Sequence, residues 1–518
     1  MSVGRTPSGL RSLSPSFRPY GWAMATSEIA RLAGIDPVEV LRFDGNVPAD
    51  PPACARPGTV AGALAEVNTY PHGGYGPLVP ALARYAGVEP ENVVLGAGAD
   101  DLIMLVARSF AGPGDTVAVL DEPTYPVFRV GAQLAGAEVG ADDPVLTFVC
   151  RPHNPTGAFG PLPAARPLAV DEAYFEYAGE SAIDLIDDGV VVLRTLSKAF
   201  GLAGARVGYA IADRETAAEL NARQSPAAVS TISAALALAA LASPPDVSWE
   251  VEERERLAQA LRTLGFEPLP SRANFVFVPT GEAEVLGDAL LGQGLAVRVF
   301  PNGIRISVRN RDDDDVLLDA IARAVDRPSP VSEPGGRRVR YVRATAETRI
   351  AVRLALDGAG RVRVATGAGL YDHFLEQLAF HGGLDLLLEA ASDLETGPHH
   401  TAEDSALALG AALDRALGDR GGIARYGDAV VPMDDALARA SIDLGGRPWC
   451  ECAIEHDPGL AAHMFQSLTQ SGRLGLHVEA TGRDPHHVAE AAFKAVGRAL
   501  RAAVRREGVG IPSTKGIV

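Results

Sequence analysis

The chain has few of the features that mark secreted, membrane-bound or nucleic-acid-binding proteins. Its 518 residues include four cysteines, which are too few for a disulfide framework. No apolar run reaches the length that crosses a membrane, and the N-terminus lacks a lysine-rich segment followed by an apolar one. The net charge of −18 argues against a nucleic-acid partner, because phosphate backbones bind to basic faces. These absences predict a cytoplasmic protein with no membrane and no nucleic-acid partner.

The length and the composition predict several globular domains. A chain of 518 residues is too long for one hydrophobic core, and its 47% hydrophobic and 22% charged residues are ordinary for globular proteins. Residues 1–18 are rich in Ser, Pro and Arg and are predicted to be disordered, whereas residues 327–336 have the composition of a linker. The predicted domains are therefore residues 19–326 and 337–518.

One lysine, Lys198, lies in a stretch of small and apolar residues that follows a predicted buried strand. Burial disfavours the charged form of an amine, so Lys198 is a candidate nucleophile for Schiff-base chemistry. The hydroxyls of Thr195 and Ser197 and the guanidinium of Arg206 suit a phosphate group. Taken alone, however, this stretch favours a surface lysine in a glycine-rich loop.

An anion site is predicted where a short strand at residues 93–95 meets a glycine turn and then a helix at residues 102–110. The N-terminus of a helix attracts anions through its free N–H groups and its dipole. Gly98, Ala99 and Asp100 lie at this turn and are candidates to hold a phosphate.

Three motifs occur in a fixed order: N-P-T-G at residues 154–157, D-E-A-Y at residues 171–174, and the S-K-x-x-G stretch that contains Lys198. This order resembles the fold-type I, pyridoxal-phosphate-dependent aminotransferases, and among them histidinol-phosphate aminotransferase. The resemblance runs from about Pro19 to about Ala324. It implies an α/β fold with a large domain built on a mostly parallel sheet and a small α+β domain.

The resemblance implies a role for each motif residue. Lys198 would hold the cofactor pyridoxal 5'-phosphate through its amine, and Asp171 would keep the pyridine nitrogen protonated. Asn154 and Tyr174 would bond the ring hydroxyl. The other implied cofactor contacts are Tyr125, which would stack on the ring, and a phosphate site made of Gly98, Ala99, Asp100, Thr195, Ser197, Arg206 and Tyr70, the last crossing to the other subunit of a homodimer.

The same resemblance implies the substrate contacts. Arg305 lies in a strand motif and would bind the substrate α-carboxylate through two hydrogen bonds, as lysine could not. Tyr20 would reach the substrate, although a packing aromatic fits equally well, and Asn46 is a further candidate.

The sequence departs from the family in one segment: three prolines in residues 160–167 stand where the family has a helix. A surface helix is therefore expected to be lost, and the run of acids at residues 312–315 is expected to form a solvated helix cap.

Two copies of H-H-x-x-E, at residues 399–403 and 486–490, each begin a predicted helix. In a helix the first histidine and the glutamate share a face, while the second histidine points roughly 100° away. Imidazole with carboxylate suits Mn, Fe, Co or Zn. A single histidine pair is more often a surface accident, whereas two copies of the motif indicate a metal site with ligands in two directions.

Residues 337–518 resemble imidazoleglycerol-phosphate dehydratase through both H-H-x-x-E copies and through L-Y-D-H, P-M-D-D-A-L and P-S-T-K-G. The resemblance implies an α+β domain of duplicated sheet-and-helix halves, two manganese ions per site and an assembly of 24 subunits. The implied metal ligands are His373, His399, His400, Glu403, His463, His486, His487 and Glu490. His477 competes with His463 but is expected to be packed in a strand, and Pro398 stands where the family often has aspartate.

Dehydration must remove a C–H proton and expel hydroxide, so this domain needs acid and base groups as well as metal. Glu347 and Glu490 are the candidates. The implied substrate contacts of this domain are Glu347, His381 and, for the phosphate group, Arg425, Arg447, Lys494, Ser513 and Lys515.

The two resemblances together imply a bifunctional enzyme of histidine biosynthesis. The second domain would dehydrate imidazoleglycerol phosphate to imidazole-acetol phosphate, and the first would transaminate that product with glutamate to histidinol phosphate. The alternative is an active aminotransferase with a non-catalytic, dehydratase-like oligomerisation domain. A regulator that senses the cofactor would need a DNA-binding domain, which the acidic charge does not support.

Overall fold

The computed structural model describes residues 13, 16–49, 51–52, 54–55, 57–71, 75–331, 336–358, 360–392, 397–457, 459–508 and 510. The chain divides into two compact units. The first comprises Met1–Ala33 and Leu41–Ser332, and the second comprises Gly34–Val40 and Glu333–Val518. Most of the segment predicted to be disordered, residues 1–18, lies outside the described residues.

The first unit alternates strands and helices along the chain. Its strands are β1 Leu41–Arg42, β2 Val93–Gly96, β3 Thr116–Val119, β4 Glu138–Val139, β5 Leu146–Cys150, β6 Leu168–Asp171, β7 Val190–Thr195, β8 Gly208–Ile211, β9 Phe275–Pro279, β10 Leu295–Ala296, β11 Arg298–Phe300 and β12 Gly303–Ser307. Its helices are α1 Thr26–Ala33, α2 Pro57–Ala65, α3 Leu78–Ala86, α4 Ala99–Phe110, α5 Val127–Ala135, α6 Phe175–Ala178, α7 Arg214–Arg223, α8 Thr231–Leu241, α9 Ser248–Thr263, α10 Ala283–Leu291 and α11 Arg311–Ala324.

A seven-stranded sheet in the order β2-β8-β7-β6-β5-β3-β4 forms the large part of this unit. The neighbours from β7 to β4 are parallel, and β8 runs antiparallel to both β7 and β2. Strands β5, β6 and β7 are buried along their whole length because apolar clusters cover both faces of the sheet, as in doubly wound α/β proteins. A smaller antiparallel sheet, β11-β12-β9, packs its apolar residues against α9, α10 and α11. The expected α/β fold is confirmed.

The proline-rich segment contains no helix, as its composition predicts: residues 157–167 run as irregular chain between β5 and β6. Phe159 anchors this segment, because the centre of its ring lies 3.7 Å from the guanidinium carbon of Arg151 and 4.5 Å from that of Arg272. Arg151 also donates through Nε to the carbonyl of Gly160 at 2.8 Å. Cation–aromatic contacts therefore hold the segment that replaces the helix.

The acidic run at residues 312–315 is not the solvated cap that its charge predicts. Asn310 caps α11 by accepting a hydrogen bond from the Asp313 N–H at 2.9 Å. Asp313 and Asp314 are 3% and 0% exposed, and burial raises the pKa of Asp314 well above its usual value. The prediction was wrong because this turn of α11 faces the interior, where Arg309 pairs with Asp313 at 2.9 Å.

Helices α8 and α9 are two separate helices. The break falls at residues 242–247, which include Pro244 and Pro245.

The second unit repeats one pattern of elements twice. The first half is β13 Arg338–Ala344, β14 Thr348–Ala355, β15 Val362–Ala365, α12 Gly369–Gly382, β16 Asp385–Ser392 and α13 His399–Leu417. The second half is β17 Tyr426–Met433, β18 Ala436–Asp443, β19 Trp449–Ile454, α14 Ala461–Gly472, β20 Gly475–Thr481 and α15 Pro485–Ala503. The sheet orders β13-β14-β16-β15 and β17-β18-β20-β19 correspond strand for strand.

The helices of the two halves meet in one core between the sheets. Alternation along β18 shows the arrangement: Ala436, Ala438, Ala440 and Ile442 point to the helices, while the residues between them face outward. Helix α15 packs on α12, and α13 packs on α14. The predicted duplicated α+β fold is therefore confirmed.

A glycine allows each of these helix pairs to approach closely. A Cβ at Gly497 of α15 would lie 2.3 Å from the carbonyl oxygen of Leu378 in α12. A Cβ at Gly410 of α13 would lie 2.4 Å from the carbonyl oxygen of Leu468 in α14. Both obstacles are backbone atoms, which cannot rotate away, so these positions require glycine.

We predict that Gly497→Ala and Gly410→Ala each lower the free energy of unfolding of the second unit by about 1–3 kcal/mol, despite the better helix propensity of alanine. Gly369→Ala is the matched control, because a Cβ there would meet no atom of the other described residues within 4 Å, apart from its chain neighbours and its own helix backbone. Urea unfolding followed by Trp449 fluorescence, with Trp22 and Trp249 replaced by Phe, measures the change. Equal stability of Gly497→Ala and Gly369→Ala would contradict the predicted close approach.

Candidate active sites

The carboxyl edge of the large sheet collects the predicted cofactor residues. Asn154 follows β5, Asp171 ends β6 and Thr195 ends β7, with Lys198 three residues further on. Parallel neighbours end at the same edge, so these side chains converge where ligands of open α/β sheets bind.

Asp171 is a buried carboxylate at this edge. It is 3% exposed and accepts a hydrogen bond from the Ala173 N–H at 3.0 Å. Burial raises its pKa to about 7. A cation beside this carboxylate would favour its charged form, so the site suits a protonated ring nitrogen.

Lys198 extends its amine to the carbonyl oxygen of Gly45 at 3.2 Å. The Nζ atom lies 5.7 Å from the centre of the Tyr174 ring. Burial, and then the positive charge of Arg305, lower the pKa of Lys198 to about 8. A useful fraction of this amine is therefore unprotonated near neutral pH, as nucleophilic and base chemistry require.

The turn before α4 forms a close-packed cradle. Gly98 has a φ of +86°, and a Cβ there would lie 2.7 Å from Nη2 of Arg206. Ala99 begins α4, and Thr195 donates through its hydroxyl to Ser197 at 2.9 Å nearby. The backbone N–H groups at the start of α4 can therefore meet an anion beside these hydroxyls.

The carboxylate of Asp100 binds other protein side chains, although Asp100 belongs to the predicted phosphate contacts. Its carboxylate accepts hydrogen bonds from Arg206 at 2.8 Å and from the Tyr125 hydroxyl at 2.6 Å. A carboxylate repels a phosphate, so the contribution open to Asp100 is its backbone N–H. The side chain instead orients Arg206 and Tyr125.

Tyr174 and Asn46 belong to a buried polar network. The Asn46 amide donates to the Tyr174 hydroxyl at 2.9 Å and accepts from the Ser307 hydroxyl at 2.8 Å. Asn46 is 1% exposed, so both ends of its amide are engaged away from solvent. The substrate role of Asn46 stays a prediction, and these contacts favour a role in orienting Tyr174. Ser307 was missed, although it shares a strand face with Arg305 two residues away.

Arg305 is a buried cation beside Asn154. Its Nη1 and Nη2 donate to Asn154 Oδ1 at 2.5 Å and to the Asp44 carbonyl oxygen at 2.7 Å. Its buried Nε has no hydrogen-bond partner among the described residues, and burial lowers the pKa of the guanidinium. A buried guanidinium with a free donor is suited to a carboxylate.

The two remaining tyrosines lie at the surface of the single chain. Tyr20 is 42% exposed and packs edge-on against Trp22 at 5.8 Å. Tyr70 is 82% exposed. One chain therefore leaves Tyr70 uncovered, which a contact with a second copy would change.

In the second unit, two groups each gather two histidines and one glutamate. His373 and His486 place Nε2 at 3.3 Å and 3.2 Å from Oε2 of Glu490. His399 and His463 place Nε2 at 3.6 Å from Oε2 of Glu403. The ligand atoms of each group lie within 4.8 Å of one another.

Each group combines both halves of the duplicated unit. The first takes His373 from α12 and a His–Glu pair from α15, and the second takes His463 from α14 and a His–Glu pair from α13. The histidine and glutamate of each motif share a helix face, as their spacing predicts. Imidazole nitrogens with a carboxylate oxygen suit a divalent transition metal, and the buried Nε2 of His463 has no hydrogen-bond partner among the described residues.

The second histidine of each motif turns away from its group, again as predicted. His400 places Nδ1 3.2 Å from Oε2 of Glu347, and His487 places Nδ1 2.7 Å from Oδ1 of Asp435. Both carboxylates come from the hairpin that joins the first two strands of their half. A hydrogen bond at Nδ1, as His487 makes to Asp435, leaves Nε2 as the nitrogen that could bind a metal. Asp435 lies in the P-M-D-D-A-L motif, but no sequence signal gave it a role.

Two of the cations predicted for the substrate phosphate of this unit have carboxylate partners. Nζ of Lys494 lies 2.8 Å from Oε1 of Glu490, and Nε of Arg425 lies 2.8 Å from Oδ1 of Asp443. Arg447 is exposed in the loop before β19. Burial, and then the charge of Lys494, lower the pKa of His381. Ser513 and Lys515 lie outside the described residues.

Two further expectations concern residues near these groups. His477 lies in β20 as predicted, but it faces outward and is exposed rather than packed, which keeps it away from the helices. Pro398 leaves the start of α13 without a side-chain cap, whereas Asp484 caps α15 through the His486 N–H at 2.8 Å.

Protein-family models match both parts of the chain. The model of aminotransferase class I and II matches residues 39–141 and 140–321, and the model of imidazoleglycerol-phosphate dehydratase matches residues 366–500. No helix among the described residues is long and apolar enough to cross a membrane.

Known proteins resemble each part separately. An imidazoleglycerol-phosphate dehydratase of Frankia casuarinae is 48% identical over 194 residues, which cover 35% of this chain and 99% of the relative. The same enzyme of Methanococcoides burtonii is 47% identical over 190 residues, covering 35% of this chain and 100% of the relative. The solved histidinol-phosphate aminotransferase of Sinorhizobium meliloti in complex with pyridoxal-5'-phosphate is 29% identical, with a TM-score of 0.53, covering 61% of this chain and 99% of that one.

We predict that the amine of Lys198 in cofactor-free protein is acylated half-maximally at about pH 8, because burial and Arg305 disfavour its charged form. Arg305→Met should move this midpoint upward, since it removes a repelling cation. The chain has three lysines, so mass spectrometry of acylated peptides resolves Lys198 cleanly. A midpoint near the ordinary lysine value of about 10.4 would contradict the predicted desolvation.

Proposed function

We propose that this chain, which belongs to the aminotransferase class I and II family and to the imidazoleglycerol-phosphate dehydratase family, is a bifunctional enzyme of histidine biosynthesis. Its second unit dehydrates imidazoleglycerol phosphate to imidazole-acetol phosphate. Its first unit transfers the amino group of glutamate to that product and forms histidinol phosphate. The observation that carries the proposal is that one chain holds both the Lys198–Asp171 edge and two His–His–Glu groups.

The residues of the first site fit pyridoxal 5'-phosphate. Bound there, the cofactor supplies an electron sink for the substrate Cα. Lys198 would hold it and move the proton at Cα with Nζ, for which its lowered pKa is suited. Asp171 would accept from the ring nitrogen, and Arg305 would bind the substrate carboxylate. The other proposed contacts are Asn154 and Tyr174 to the ring hydroxyl, Tyr125 to the ring face, Gly98, Ala99, Asp100, Thr195, Ser197 and Arg206 to the phosphate, and Tyr20 and Asn46 around the substrate.

We propose a homodimer for the first unit. Helix α2 has no charged residue, and none of its described side chains is buried. Leu64 in this helix is 51% exposed, and after the helix Val67 is 61% and Tyr70 82% exposed. An apolar surface of this kind is typical of a protein interface, and a second copy would cover it while receiving Tyr70.

The residues of the second site fit two manganese ions, which would supply Lewis acidity to the substrate imidazole. His373, His486 and Glu490 would hold one ion, and His399, Glu403 and His463 the other. His400 and His487 are proposed as ligands toward a second copy, in an assembly of 24 subunits. Glu347 and Glu490 would move protons, His381 would contact substrate, and the phosphate would meet Arg425, Arg447, Lys494, Ser513 and Lys515.

The proposed boundaries are a first domain at residues 19–326, a linker at 327–336 and a second domain at 337–518, preceded by a disordered 1–18 and placed in the cytoplasm. The alternative, an aminotransferase on a non-catalytic scaffold, has less support. A scaffold needs no metal, yet both His–His–Glu groups have all three side chains in place.

We predict that the two activities can be removed one at a time. Lys198→Ala should convert imidazoleglycerol phosphate only as far as imidazole-acetol phosphate, because the two sites share no residue. His373→Ala should bind less manganese, lose dehydration and still transaminate added imidazole-acetol phosphate. His477→Ala, an exposed histidine outside both groups, is the control. Chromatography of products and metal analysis give the readout, and loss of both activities in either variant would contradict separate sites.

A further inference from the structure

A buried charge pair lies directly behind the proposed cofactor site. Arg194 and Glu172 are 3% and 1% exposed, and Arg194 Nε lies 3.1 Å from Glu172 Oε2. The proposed roles of the first site use neither residue. Charges removed from water cost several kcal/mol each unless they are paired and fully hydrogen-bonded, so such a pair calls for an explanation.

The surroundings satisfy both charges. Glu172 also accepts from the Ser181 hydroxyl at 2.7 Å and from the Ala182 N–H at 2.6 Å. Arg194 donates through Nη2 to the Ser181 hydroxyl at 2.7 Å, and its guanidinium lies 3.6 Å from the centre of the Phe175 ring. The pair is therefore held in one geometry from several directions.

Two other ionisable groups lie near Arg194, but Glu172 is the one that carries the opposite charge. Glu176 of α6 has a pKa raised to about 8 by burial and accepts from Tyr85 of α3 at 3.4 Å. Tyr209 of β8 is the partner of Arg194 in the strand register, and burial raises its pKa above the usual value. At neutral pH these groups are mostly uncharged.

The pair connects the two strand ends that carry the proposed chemistry. Glu172 follows Asp171, the last residue of β6, and Arg194 precedes Thr195, the last residue of β7. Side chains alternate along a strand, so the pair lies on the face opposite Asp171 and Thr195. The Glu172 N–H also donates to the Leu193 carbonyl oxygen at 2.8 Å. The pair thus sets the spacing between Asp171 and the segment that leads to Lys198.

Stability alone does not explain this arrangement, because a buried ion pair is often no more stable than apolar residues of the same size. We propose that Glu172 and Arg194 are positioning residues for the cofactor site: they fix the spacing of Asp171 and Lys198 and cancel each other's charge behind the cofactor. This inference rests on the proposed function of the first unit.

The test compares Glu172→Gln, Arg194→Met and the double variant E172Q/R194M in the full chain. A bare cation behind the cofactor disfavours a protonated cofactor–lysine linkage, and a bare carboxylate favours it. The pH midpoint of the absorbance change of bound pyridoxal 5'-phosphate should therefore fall by roughly half a pH unit in E172Q and rise by roughly the same amount in R194M. In the double variant the midpoint should return toward the wild-type value. Both single variants should bind the cofactor about tenfold more weakly.

Arg309→Met is the matched control, because Arg309 and Asp313 also form a buried pair, at 2.9 Å, away from these strand ends. It should lower the melting temperature without changing the midpoint or the affinity. If E172Q and R194M behave like R309M, or move the midpoint in the same direction, the pair is only structural and the inference is wrong.

Two further experiments complete the test. If R194M does not fold, Arg194→Lys takes its place, because lysine keeps the positive charge but lacks the planar set of donors of the guanidinium. Its midpoint should stay at the wild-type value while its affinity for the cofactor falls, and unchanged affinity would overturn the inference. Borohydride reduction of wild type followed by peptide mapping tests the function separately. A pyridoxyl group absent from Lys198 would refute the proposed function, whereas a label on Lys198 with unperturbed variants would refute only this inference.

Discussion

Desolvation of charged groups at the carboxyl edge of the large sheet is the constraint on which the first unit depends. Burial lowers the pKa of Lys198 to about 8 and raises that of Asp171 to about 7. These groups lie close together because the parallel strands β5, β6 and β7 end at the same edge of the sheet. The same burial that costs free energy leaves part of the Lys198 amine unprotonated near neutral pH.

The second unit assembles its two His–His–Glu groups through helix spacing and duplication rather than through strand ends. A histidine and a glutamate four residues apart share a helix face, and the third side chain of each group comes from the other half of the unit. Neither half holds a complete group. The glycine contacts at Gly410 and Gly497 bring the helices of the two halves together, so the packing of the core and the geometry of the ligands are linked.

The sequence predicted those features that depend on local order along the chain. The motif order around Lys198, the i,i+4 pairing of His399 with Glu403 and the lost helix at the prolines follow from short-range patterns. Contacts between residues distant in the chain could not be predicted from such patterns. No residue near Asn46 in the sequence indicates its hydrogen bond to Tyr174, and Asp435 meets His487 because the hairpin between β17 and β18 brings it to the start of α15. The acidic run at 312–315 was misjudged for the same reason, because the burial of Asp313 and Asp314 and the pairing of Asp315 with Arg256 of α9 depend on tertiary packing.

We propose that this chain carries two kinds of site, each with its own cofactor. Reconstitution of protein stripped of metal and pyridoxal 5'-phosphate tests it most directly, with both half-reactions assayed after each addition. Manganese alone should restore dehydration of imidazoleglycerol phosphate and no transamination, and pyridoxal 5'-phosphate alone should restore transamination of imidazole-acetol phosphate and no dehydration. Failure of manganese to restore any dehydration in folded protein would contradict the claim and favour a dehydratase-like scaffold.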